Sequence, residues 1–152
     1  MQLTKGNRSD ADKIFIIALN VSGSTMTAGY AAAFDTGASA DGVRVSQPTA
    51  AALNAFAGVA DEDIANNGYG RIQIYGYRSS VLISSSTGAS ATGDPLTTVS
   101  SNWALRPFYG GVGIGVSSCV MNYKAFAFLM EAVAASSSST YSTTAKAFIR
   151  AL

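Results

Sequence analysis

An all-β fold, an antiparallel sandwich or barrel of short strands with an extended N-terminal arm, is what this sequence predicts. Three observations predict it. Short apolar runs rich in Ile, Val, Phe and Tyr recur along the chain, and several alternate with a period of two. Clusters of Gly, Ser, Asn and Asp separate these runs at near-regular spacing, which is turn chemistry. The length of 152 residues suits one domain that buries enough surface to need neither metal nor disulfide.

The elements follow in order. Residues 1–13 are polar and carry no apolar period, so they form the arm, and residues 14–152 form a single β-rich domain. Ile14-Phe15-Ile16-Ile17-Ala18-Leu19 is a continuous apolar run, the pattern of a strand buried on both faces. Val21-Ser22-Gly23-Ser24 ends it in a turn, and a second run covers residues 29–34. Asp41-Gly42 turns tightly into the half-exposed strand Val43-Arg44-Val45, and Pro48 separates that from residues 52–59. After the Asn66-Asn67-Gly68 turn, Gly70 to Tyr77 alternates: Arg71, Gln73 and Tyr75 share one face, Ile72 and Ile74 the other. Arg78-Ser79-Ser80 leads into a separate strand, Val81-Leu82-Ile83. Trp103 to Tyr109 makes another strand. Phe126, Leu129, Met130 and Val133 fall at helical spacing, although Phe126, Phe128 and Met130 also alternate; propensity alone favours a helix there. Residues 145–150 form the terminal strand.

Composition narrows the function. Charged residues make up 12% of the chain, about half the ~25% usual for globular proteins. Ser, Thr, Ala and Gly take their place, and a surface of that kind suits a protein in contact with other subunits. Ten Lys/Arg and nine Asp/Glu are scattered singly, so no basic stripe marks a nucleic-acid partner. No apolar stretch reaches the ~18 residues of a membrane helix, and no secretion signal opens the chain; the expectation is a soluble protein, made in a reducing compartment, with no membrane partner. His is absent, which removes Ser-His-Asp and Cys-His arrangements, and an enzyme is not expected. Cys119, the lone cysteine, excludes an internal disulfide and a thiolate zinc site, and reads as a small core residue. No cofactor and no metal are expected. Gly111-Val112-Gly113-Ile114-Gly115 lacks the glycine spacing, helix and acidic residue of a nucleotide loop. Asp61-Glu62-Asp63 lacks the spaced ligands of a calcium loop and reads as a solvated turn.

The candidate functional residues are those of a protein interface. Trp103, Phe108 and Tyr109 gather aromatic surface beside Arg106, and aromatics with Arg are enriched in binding hot spots. A strand end packed in the core is the alternative. Arg71 and Tyr75 on their shared face offer the same choice between solvent and a neighbour. A carbohydrate-binding sandwich using Trp103, Tyr109 and Tyr77 as a stacking platform is a further alternative.

Phe56-Ala57-Gly58-Val59-Ala60, then Ile64, then Gly68 to Tyr77, then Gly93-Asp94-Pro95-Leu96 form a series that resembles the head-decoration (cement) proteins of tailed bacteriophages. Residues 144–152 look like that family's final strand. The resemblance implies an all-β structural protein on the outer surface of an HK97-type capsid, made in the host cytoplasm. Its implied partners are the major capsid protein and itself, with a trimer favoured. A head-fibre base or a tail-associated structural protein is the nearest alternative. The Gly93 to Leu96 turn is also similar to biotinyl and lipoyl carrier domains, but no Lys lies between Lys13 and Lys124 to be modified.

Overall fold

The computed structural model describes residues 12–37, 39–85, 89–107, 125–134 and 141–151. The arm up to residue 11, Phe108, Tyr109, the glycine-rich stretch 110–115 and Cys119 lie outside the described residues. Among the described residues there are nine strands: β1 (Ile14–Asn20), β2 (Ala31–Phe34), β3 (Arg44–Ser46), β4 (Phe56–Ala60), β5 (Tyr69–Ser85), β6 (Pro95–Thr98), β7 (Leu105–Pro107), β8 (Ala127–Leu129) and β9 (Tyr141–Arg150). A single 3-10 turn at Ala50–Ala52 is the only helical element among the described residues. The all-β expectation is met.

All nine strands belong to one sheet in the order β1-β3-β2-β4-β5-β7-β6-β8-β9, with β5 pairing back onto both β1 and β9. The sheet therefore curls into two circuits that share β5. One runs through β1, β3, β2 and β4; the other runs through β7, β6, β8 and β9. The sheet is mixed, because β1–β3 and β5–β7 run parallel while the other ladders are antiparallel. β1 pairs with the first half of β5, from Leu19 opposite Tyr69 to Ile14 opposite Tyr75. At Tyr75 the same edge passes to β9, beginning with Arg150.

β5 runs as one 17-residue strand where two were expected. The Arg78-Ser79-Ser80 segment is a bulge, with Arg78 opposite Ala147 and Val81 opposite Ala145. An extra residue bends a strand without ending its ladder. Gly76 supplies a second bend at φ +105, where a Cβ would run into the Asp12 carbonyl. Gln73 holds that bend: its Nε2 donates towards the carbonyls of Tyr75, Gly76 and Tyr77 at 3.1–3.2 Å. Gln73 is fully buried, so the alternating polar face expected around it is interrupted in the middle.

The apolar side chains divide into two clusters. The larger gathers Val81, Ile83, Leu96, Leu105 and Phe126, with Leu129 of β8 and Ile149 of β9, and also Ala31, Phe56 and Val59. The smaller gathers Ala18, Met26, Ala32, Val45, Ala57, Ala60, Ile64 and Ile72. β2 and β4 thus contribute to both, and every residue of β4 is buried. A bulge permits this: Ala32 faces Gly58 and Ala33 faces Phe56, leaving Ala57 extra. The alternation resets, so Phe56 and Val59 join one cluster while Ala57 and Ala60 join the other. Gly58 sits at φ +144 with its α-carbon against the Gln73 carbonyl, leaving no room for a side chain.

One open choice is decided and one expectation is corrected. Residues 127–129 form a strand, not a helix, because β6 and β9 flank them on both edges and Phe126, Ala127, Leu129 and Val133 all enter the larger cluster. Those ladders outweigh the propensity. β1 is not buried on both faces: Ile14, Phe15 and Ile17 are exposed.

Candidate interaction face

The outward face of β1 and the start of β5 is the most prominent apolar surface among the described residues. Opposed residues in an antiparallel ladder share a face. Ile17 lies opposite Arg71 and Leu19 opposite Tyr69, while Ile16 and Ala18 point inward opposite Ile72 and Gly70. Ile17 is 60% exposed and Tyr69 68%. Val43, also exposed, lies beside them, its carbonyl accepting the Leu19 N–H at 3.0 Å. The Arg71 guanidinium stands 5.7 Å from the centre of the Phe15 ring, a cation–π contact at the rim of the face.

The charges around this face are paired within the chain. Asp61 lies between two arginines of β5, with oxygens 3.0 Å from Arg71 Nη2 and 2.8 Å from Arg78 Nη1. Glu62 accepts the Arg71 backbone N–H at 3.0 Å and approaches its Nε at 3.6 Å. Asp63 accepts the Ala28 N–H at 2.8 Å. The acidic triplet is thus a turn whose carboxylates tie the end of β4 to β5 and to the turn before β2. Among the described residues no group of three or more His, Cys, Asp or Glu is placed to hold a metal. At the neighbouring turn, Asp41 accepts the N–H groups of Val43 and Arg44, both at 2.9 Å. These bonds, with the Arg44 charge, hold its carboxyl below the ordinary aspartate value.

The other candidates lie apart. Trp103 is half-buried beside the smaller cluster, its ring stacked on Tyr30 with centroids 5.3 Å apart. Its carbonyl accepts the Ala31 N–H at 2.7 Å, which fixes it near β2. Arg106 is half-buried in the middle of β7, opposite Thr97. Tyr75 is half-buried and meets Phe148 edge-to-face at 5.2 Å, so its ring is spent on the β5–β9 ladder. Among the described candidate residues, Arg71 alone lies on the exposed β1 face. Sequence inspection missed the rest of that face, because an Ile-rich run signals burial. It also missed the Asp61–Arg71–Arg78 cluster, whose members are separated by ten and seven residues and carry no local motif.

No protein-family model matches the chain, and no curated protein matches it. Among solved structures, the chain is similar to the head fiber gp8.5 N base of bacteriophage phi29, at 15% identity and a TM-score of 0.48, over 92% of this chain and 96% of that one.

Proposed function

We propose that this chain is a structural protein of a tailed-phage virion that binds the outside of the head and stabilises contacts between capsid subunits. The observation that carries the proposal is the ordered motif series from Phe56 to Leu96, which resembles that of head-decoration proteins. Its members fall on β4, on the connection from β4 to β5, on β5 and on the turn into β6. The low charge content and the open apolar face of β1 add support, since both suit a protein that is covered in its assembly. A head-fibre base is a second form of the same role.

The physical effect is linkage. A protein that binds only where neighbouring capsid subunits are correctly apposed adds its binding free energy to the intact shell alone. Repetition over a symmetric lattice multiplies modest contacts into a large total. The carbohydrate-binding alternative loses support, because Tyr30 already covers one face of the Trp103 ring.

Labelling intact virions with an antibody against this chain, viewed by electron microscopy, tests the proposal. Regular labelling over the head is expected. Labelling confined to the tail, or virions without the protein, would overturn it.

A further inference from the structure

We propose that β1 is a self-association strand, pairing antiparallel with β1 of a second copy of this chain about a two-fold axis. Two independent features of one segment carry this. The first is the open side-chain face already described, with Phe15 and Ile17 on it and Ile14 exposed at its end. The second is an open backbone edge. β5 occupies one edge of β1 from Ile14 to Leu19, whereas β3 meets the other edge only at Leu19 and Asn20. Among the described residues, no strand pairs with that second edge over residues 14–18. An unpaired, apolar strand edge is a template for another strand, and folded proteins usually protect it with a charge or a proline. Residues 14–18, Ile-Phe-Ile-Ile-Ala, contain neither.

The occupant follows from what such a segment selects. The partner must offer an unpaired strand edge and apolar side chains together, and β1 of another copy offers both. Charge does not favour another class of ligand. Arg71 is compensated by Asp61 and Glu62, and Arg44 lies 3.4 Å from Asp41, so the surroundings present no net field for an anionic or cationic partner. Residues 1–11 of the chain match the face less well, since Lys5, Arg8 and Asp10 spread charge along the segment and its apolar residues are only Met1, Leu3 and Ala11. Antiparallel pairing of a strand with its own copy generates a two-fold interface, so a dimer is the expected species, in place of the trimer that the family resemblance implies. The proposal is independent of the virion role, and a monomeric protein on the capsid would refute it alone.

Sedimentation velocity of the full-length protein over a range of concentrations tests it, beside Ile17→Lys and Ile17→Asn. The wild type is expected to dimerise, and Ile17→Lys to raise the dissociation constant at least about tenfold by placing a charge on the paired strand. Ile17→Asn is expected to weaken it less. Far-UV circular dichroism and melting of each variant, measured on the monomer, distinguish dissociation from misfolding. Slower amide exchange at Phe15 and Ile17 with rising protein concentration would support the pairing without any substitution. A monomeric wild type, an odd-numbered oligomer, or a dimer unaffected by both variants would overturn the proposal. Loss of the dimer on removal of residues 1–11, with β1 intact, would assign the contact to the arm instead.

Discussion

β1 and β4 invert the usual relation between hydrophobicity and burial. β1 carries Ile14, Phe15, Ile16 and Ile17, yet three of these four are exposed. β4 is Phe-Ala-Gly-Val-Ala, with two alanines and a glycine, and every residue is buried. The difference is position. β4 lies between β2 and β5 with a cluster on each side, and the close packing of interiors limits a strand covered on both faces to side chains that fit two facing layers. β1 lies at the outside of its circuit and packs Ile16 and Ala18 inward. Small residues thus mark the crowded centre, and the bulky run marks a surface.

The largest test of that contrast is Phe56→Ala. Phe56 is buried against Phe126, with ring centroids 5.0 Å apart, and links β4 to the larger cluster. Its truncation is expected to destabilise the protein by about 3–5 kcal/mol in urea denaturation. A cost under about 1 kcal/mol would mean that β4 is not the packed centre.

Gly58→Ala comes next. A side chain there meets the Gln73 carbonyl and must occupy positive φ, so a loss of about 1–3 kcal/mol is expected. A neutral substitution would show that β4 can move away from β5 and that its small residues are not dictated by crowding.

For β1, Ile17→Ser is expected to change the stability of the dilute monomer by no more than about 0.5 kcal/mol, as at other exposed sites. If it costs as much as Phe56→Ala, the outer face of β1 is covered within the monomer and the contrast fails.

The smallest expected effect belongs to an exposed ion pair. Glu131 accepts the Lys146 backbone N–H at 2.8 Å, and its carboxylate lies 3.1 Å from Lys146 Nζ. The backbone N–H, then the ammonium, hold the Glu131 carboxyl below the ordinary glutamate value of 4.5. A depressed carboxyl contributes stability above that value and loses it as pH falls through the folded pKa. The Lys146 ammonium is raised by Glu131, and its contribution is present below the ordinary lysine value of 10.5 and lost as pH rises past it. Glu131→Gln is therefore expected to lower the melting temperature slightly at neutral pH and to leave it unchanged at low pH, where both proteins carry a neutral side chain. An equal loss at both pH values would show that the carboxylate charge contributes nothing.

Much of the fold is legible in local chemistry. The Asp41-Gly42 turn forms as its residues require, with Gly42 at φ +76 and the Asp41 carboxylate accepting two following N–H groups. The Asn66-Asn67-Gly68 turn places Asn67 at φ +60, and the alternation of Ile72 and Ile74 marks their buried face. These features depend on neighbours in sequence, so the sequence by itself determines them, as it determines the all-β class.

The rest is decided by contacts between distant residues. Phe126 to Val133 satisfies a helical period, and only the ladders from β6 and β9 make its centre a strand. Asp61 finds Arg71 and Arg78 because β4 and β5 are ladder neighbours. Whether an apolar run is buried on one face or two depends on what lies against each face, which no local period encodes. That is why the β1 face, the candidate site, became visible only in the tertiary structure: its residues are ordinary core residues in sequence, and the sheet's closure around β5 leaves them outside.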